Sequence, residues 1–74
     1  MDVEANMAIA NAVQKDSYVY VYDKRGRELC SIFAGSWKSD GLQGFTGSVV
    51  SVRTGSYIYT YDENGRQLSS TFAG

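Results

Sequence analysis

Tyrosine alternates with aliphatic or β-branched residues along two short stretches of the chain, YVYVY and YIYTY. Alternation with a period of two in strong strand formers is typical of β-strands. A further run of strand-forming residues precedes and follows each Tyr stretch. The pattern predicts six strands, at about residues 9–14, 17–23, 28–33, 48–53, 56–62 and 67–72.

The chain contains an internal duplication. Residues 16–35 and 55–74 are identical at twelve of twenty positions without a gap, at an offset of 39. The match continues more weakly upstream, where Val13 aligns with Val52. The predicted organisation is one domain, residues 1–74, with repeat unit 1 at about 8–34, a connector at 35–47 and repeat unit 2 at about 48–74.

The earliest predicted strand has an alternative. Residues 8–14 lie in a stretch that is rich in Ala and Met, and both residues favour a helix. The counterpart of this stretch in the second unit, SVVSVRT, is strand-like. The repeat therefore favours a strand.

Each Tyr strand leads into a turn, at Asp23–Arg27 and at Asp62–Arg66. Asp suits the first turn position, and Gly26 and Gly65 supply the left-handed residue of a three-residue hairpin loop with a bulge. We therefore expect two three-stranded antiparallel meanders. Neither can bury an apolar face alone, so an all-β fold is predicted in which the meanders meet as a small barrel or sandwich with pseudo-twofold symmetry.

The hairpin register decides which face is buried. A three-residue loop pairs Tyr22 with Glu28 and Val21 with Leu29, and the second unit follows the same register. The predicted core face contains Val13, Val19, Val21, Leu29, Phe33, Val52, Ile58, Leu68 and Phe72. The opposite face carries the candidate binding residues Tyr18, Tyr20, Tyr22, Tyr57, Tyr59 and Tyr61.

Two interpretations of the tyrosines stay open at this point. Tyr is enriched in interfaces, and a large exposed aromatic patch marks an interaction site. Tyr also stabilises sheets through cross-strand pairs, each contributing roughly 0.2–1 kcal/mol. A four-residue loop would reverse the faces and bury the rings.

Two further residues are binding candidates. Trp37 lies in the connector, where it either closes one end of the fold or anchors a partner. Arg25 lies with Lys24 and Arg27 at the first hairpin tip, which is either a phosphate-binding tip or a set of solvated turn charges.

The remaining composition limits the chemistry. The chain has no His and a single Cys, Cys30, so neither a zinc site nor the usual general base is present. The net charge is −1, and no apolar run reaches the roughly 18–20 residues that span a bilayer. We expect a soluble, cytoplasmic protein that is not an enzyme and needs no cofactor or metal.

The segments YVYDKRGREL and YTYDENGRQL resemble the YD repeats of the bacterial RHS family, whose core is roughly Tyr-x-Tyr-Asp-x-x-Gly-Arg. The Leu that follows is displaced by one position. The resemblance covers under half the chain and implies the hairpin and a bacterial origin, without a function.

The sequence thus predicts a binding or assembly module that self-associates or binds a protein through its Tyr-rich face or its sheet edges. The alternative is a single-stranded nucleic-acid binder, with bases stacked on the tyrosines and phosphates on Lys and Arg at the hairpin tips. A small fold without disulfide or metal favours association with another copy.

Overall fold

The computed structural model of the protein describes residues 8–35 and 40–74. These residues form seven antiparallel strands in two sheets and contain no helix, which confirms the all-β prediction. The first sheet has the order β1-β2-β3 and the second the order β4-β5-β6-β7. The strands are β1 Asn11–Lys15, β2 Tyr18–Tyr22, β3 Glu28–Phe33, β4 Gly41–Phe45, β5 Val49–Thr54, β6 Tyr57–Asp62 and β7 Gln67–Phe72.

The prediction of six strands is wrong, because β4 lies inside the predicted connector. Leu42 pairs with Val52 and Phe45 with Val50, so pairing with the apolar residues of β5 holds this Gly-rich segment in the sheet. A bulge between Leu42 and Gly44 takes up the extra residue. The predicted closed barrel is also wrong, because the two sheets do not join into one ring of paired strands within the described residues.

The long hairpin turns have the predicted geometry. The Asp62 N–H donates to the Arg66 carbonyl at 2.9 Å, and the Gly65 N–H donates to the Asp62 carbonyl at 3.0 Å. Gly65 has a φ of 84° and Gly26 a φ of 82°, a left-handed conformation that favours glycine. A type I turn followed by a glycine bulge is therefore confirmed in both units.

A second bulge shifts the register immediately after the first pair. Tyr22 pairs with Glu28 as predicted, but Val21 pairs with Cys30 and not with Leu29. The extra residue moves every later side chain of β3 to the opposite face. Phe33 therefore lies on the Tyr side of the sheet and is 57% exposed.

The second hairpin repeats this shift between Thr60 and Tyr61. Phe72 consequently pairs with Tyr57 and is 67% exposed, and Leu68 is exposed as well. The predicted inward placement of Phe33, Leu68 and Phe72 is wrong for the same physical reason, an additional residue on the strand after the turn.

The two sheets bury opposite faces. The first sheet buries the face that points away from its tyrosines, including Val19 and Val21, which are fully buried. The second sheet buries Val50 and Val52, which pair with Tyr61 and Tyr59 and so share the Tyr side. These valines join one apolar cluster, whose buried members are Ile9, Ala12, Val19, Val21, Ile32, Ala34, Val50 and Val52.

Differences between the repeat units explain this asymmetry. The counterparts of Val50 and Val52 are Asn11 and Val13, and both are exposed in the first sheet. On the other face, Thr60 and Thr71 stand where the first unit has Val21 and Ile32. Each unit thus buries its more apolar face. The prediction that Val13 belongs to the core and that both units bury the face opposite the tyrosines is wrong.

The sheets meet along β1 and β4. The Ile9 N–H donates to the Gly47 carbonyl at 3.0 Å, and the Gln14 side chain accepts a hydrogen bond from the Leu42 N–H at 3.0 Å. The connector is also tied to the second unit, because the buried Asp40 carboxylate accepts a hydrogen bond from the Gly55 N–H at 2.8 Å. These bonds set the Tyr side of the second sheet against the non-Tyr side of the first.

Candidate functional site

The Tyr side of the first sheet, here called the first aromatic face, consists of Val13, Tyr18, Tyr20, Tyr22 and Phe33. Tyr18 is 44% exposed and packs edge-on against Phe33, with ring centroids 5.6 Å apart. The rings of Tyr18 and Tyr20 follow at 6.4 Å. The result is a continuous aromatic surface on the outside of the sheet.

The strand register explains the close packing at one end of this face. The Ala34 N–H donates to the Ser17 carbonyl at 2.6 Å, so these two residues form a hydrogen-bonded pair. Hydrogen-bonded and non-hydrogen-bonded pairs alternate along an antiparallel ladder. Tyr18 and Phe33 therefore form a non-hydrogen-bonded pair, in which side chains approach most closely.

The second sheet carries a counterpart, here called the second aromatic face: Tyr57, Tyr59, Tyr61 and Phe72. Tyr57 and Phe72 pack edge-on at 5.5 Å, and the Tyr59 and Tyr61 rings lie 6.5 Å apart. Only part of this face is covered: Tyr61 packs against the apolar cluster, whereas Tyr57 and Phe72 are 43% and 67% exposed. Burial raises the pKa of the Tyr61 phenol, and the neighbouring Tyr59 adds to the shift.

The other candidates lie apart from the tyrosines or outside the described residues. Arg25 is exposed at the first hairpin tip, where its N–H donates to the Asp23 carboxylate at 2.9 Å. Arg53, a cation of β5 that is not at a hairpin tip, donates to the Gly55 and Gly74 carbonyls at 3.0 and 2.8 Å. Trp37 falls outside the described residues.

Cys30 lies half-buried beneath the second hairpin turn. A Cβ atom placed on Gly65 would lie 3.4 Å from the Cys30 Cβ. Burial raises the pKa of the Cys30 thiol, and the charges of Asp62 and Glu28 act in the same direction. The thiol is therefore protonated at neutral pH, which makes it a weak nucleophile.

The pKa of the Asp23 carboxyl depends on hydrogen bonds within the first hairpin turn. Its carboxylate accepts hydrogen bonds from the Arg27 and Arg25 N–H groups, each at 2.9 Å, and these bonds lower the pKa of Asp23 below its usual 3.8. The carboxylate therefore stabilises the fold above the unfolded-state pKa, and that contribution is lost as the pH falls through the depressed folded pKa.

We expect an NMR titration of the Asp23 carboxyl to give a midpoint below 3.8 in the native protein. Asp23→Asn retains a hydrogen-bond acceptor without a titrating group, so its stability should lack this part of the acid dependence. A native midpoint at or above the usual value would contradict the proposed role of the turn hydrogen bonds.

Phe33 and Phe72 were not recognised from the sequence as members of the aromatic faces. Each Phe lies at the end of its strand, β3 or β7, beyond the bulge that follows the hairpin turn. No turn residue marks either of these bulges in the sequence. The sequence signal for these bulges is the Leu that stands one position away from its place in the YD-repeat pattern, because Leu29 and Leu68 are the extra residues of β3 and β7.

Comparisons with protein-family models, curated proteins and solved structures found no match to this chain. Within residues 8–35 and 40–74, no helix is long and apolar enough to cross a membrane.

Proposed function

We propose that the protein is a non-enzymatic assembly module that self-associates through the first aromatic face. The observation that supports this most directly is the contrast between the two sheets. Beside the tyrosines of the second aromatic face, Val50 and Val52 are fully buried, and Tyr61 packs against the apolar cluster. On the first aromatic face, the counterpart of Val52 is Val13, which is 37% exposed.

The chemistry of the first aromatic face suits a protein partner. Tyr and Phe provide large contact areas at low entropic cost, and they are enriched in the cores of interfaces. Lys15 and Glu28 lie on the same side of the sheet, opposite Tyr18 and Tyr22 respectively. An aromatic centre with charges of both signs at its ends favours a protein surface of mixed charge, such as that of a second copy, over a uniformly charged ligand.

The experiment is a comparison of two Tyr-to-Ser variants by sedimentation equilibrium. Tyr20→Ser removes the central ring of the first aromatic face and should weaken self-association at least about tenfold, which corresponds to about 1.4 kcal/mol. Tyr57→Ser is the control, because this residue is more exposed than Tyr20 but belongs to the second aromatic face. It should leave association within about twofold of the parent.

Circular dichroism should show an unchanged fold for both variants. Equal association of Tyr20→Ser and the parent would overturn the proposed contact surface, as would a parent protein that stays monomeric at millimolar concentration. Binding of oligothymidylate that weakens steeply with added salt would instead support the single-stranded nucleic-acid alternative.

A further inference from the structure

The interface inside the chain joins two unlike faces. The non-Tyr side of the first sheet, with Val19 and Val21, packs against the Tyr side of the second sheet, with Val50 and Val52. An interface between unlike surfaces of related units is head-to-tail. One surface of each of the two kinds therefore stays outside the interface. The unused surfaces are the first aromatic face and the non-Tyr side of the second sheet.

That second surface is here called the outer face, and it includes Ser51, Arg53, Ile58, Thr60, Ser69 and Thr71. Each member is the repeat counterpart of a residue on the covered side of the first sheet. Ile58 corresponds to Val19, and Thr71 corresponds to Ile32. The two unused faces are therefore copies of the two faces that already meet inside the chain.

Burial differs sharply between these counterparts. Val19 is fully buried and Ile32 is 5% exposed, but Ile58 is only half-buried and Thr71 is exposed. All six residues of β7 are exposed, and so is Ala73, although its counterpart Ala34 is fully buried. The outer face lacks the cover that the equivalent surface of the first unit has.

We propose that copies of the chain join head to tail, with the outer face of one copy seated on the first aromatic face of the next, until the assembly closes into a ring. This inference rests on the proposed self-association and specifies its geometry. The occupant is a second copy, because the contact continues the packing already present between the two sheets. Each copy adds its two sheets to one continuous stack of sheets.

The repeat length and the strand number of the second sheet agree with this geometry. The offset between units is 39 residues, and the second sheet is a four-stranded antiparallel meander. Radial stacking of four-stranded meanders is the β-propeller arrangement, in which typically 4–8 sheets surround a central axis and the repeat is roughly 40–45 residues. With two sheets per chain, such a ring contains about two to four copies.

The outer face also indicates how strong the contact is. Four residues of this face are Ser or Thr, whereas the counterparts of Thr60 and Thr71 are Val and Ile. The intermolecular contact thus buries less apolar surface than the contact inside the chain. We expect the ring to dissociate on dilution before the chain unfolds.

Disulfide trapping tests the geometry with an internal calibration. Gly65 lies against Cys30 inside the chain, and the repeat counterparts of these residues are Gly26 and Ser69. In a Cys30→Ser background, Gly26→Cys and Ser69→Cys should therefore form a disulfide between neighbouring copies. Gly65→Cys with the native Cys30 is the calibration, because it carries the same left-handed glycine replacement and should cross-link within one chain.

The ring predicts one dominant cross-linked species in denaturing mass spectrometry, a small integer multiple of 8.1 kDa, with every cysteine oxidised. Chains that carry only Gly26→Cys or only Ser69→Cys should not cross-link alone but should cross-link when mixed. Cross-linking within a single-variant sample would show like faces in contact and overturn the head-to-tail geometry. A ladder of open multimers would overturn closure.

A second pair of variants does not depend on a glycine replacement. Thr71→Glu places a charge on the outer face, and Ser70→Glu places the same charge on the other side of the same strand. Both residues are exposed in the single chain, but only Thr71 has a buried counterpart. Thr71→Glu should weaken association at least about tenfold, whereas Ser70→Glu should not. If Tyr20→Ser weakens association and Thr71→Glu does not, the proposed function stands and the head-to-tail ring fails.

Discussion

Val52→Ala is expected to lower the free energy of unfolding by about 2–3 kcal/mol, whereas Val13→Ala should lower it by under about 1 kcal/mol. The two valines are repeat counterparts, so the substitution and the local strand geometry are matched. Val52 is fully buried in the cluster between the sheets, and Val13 is 37% exposed. The larger loss combines the transfer of two methyl groups with the cavity left in a close-packed core.

Urea unfolding monitored by circular dichroism measures both values. The titrations should be repeated over a range of protein concentrations, because association of native chains adds to apparent stability. The deficit of Val52→Ala should persist at every concentration, whereas the effect of Val13→Ala should shrink on dilution. Equal losses for the two variants would show that the sheets bury equivalent faces, contrary to the structure.

Gly26→Ala should destabilise the protein by about 1–2 kcal/mol through backbone strain alone. Gly26 has a φ of 82°, and a Cβ atom there would have no heavy atom within 4 Å, so no side-chain clash contributes. The expected loss is the cost of holding an L-residue in the left-handed region at the bulge that closes the hairpin.

Gly44→Ala is the matched control for this substitution. A Cβ atom at Gly44 also meets nothing within 4 Å, but the φ of this residue is not in the left-handed region. The free energy of unfolding of Gly44→Ala should differ from that of the parent by less than about 0.5 kcal/mol, or rise slightly, since Ala restricts the unfolded chain more than Gly. A similar loss in both variants would show that strain at the bulge is not the cause.

The hairpins could be predicted from the sequence because their signals are local. Asp62, Gly65 and Arg66 specify the turn, and the alternation of YIYTY specifies the strand that enters it. The duplication also resolved the helix-or-strand ambiguity near the N-terminus in favour of β1. The strand β4 was missed, because its two glycines carry no strand propensity and its position depends on Leu42 and Phe45 finding Val52 and Val50.

The buried faces could not be predicted because they depend on two non-local facts. The bulge at Leu29 reverses the orientation of Phe33, and no residue type announces a bulge in a continuous strand. Which face each unit buries depends on how apolar Val50 and Val52 are relative to their counterparts in the first unit. This difference has an effect only when the two sheets pack together. The sequence predicts that all six tyrosines lie on the outside, whereas in the structure Tyr61 packs against the apolar cluster.

Packing between unlike surfaces changes how the two repeats can diverge. In a contact related by twofold symmetry, every substitution appears twice, once on each side of the interface, so its effect on the contact is doubled. When dissimilar surfaces meet, a substitution such as Thr at position 60 appears once per contact and must suit only the opposing surface. One side of a repeat can therefore become polar while the other keeps its aliphatic residues, and the strength of one junction can change without disturbing the next.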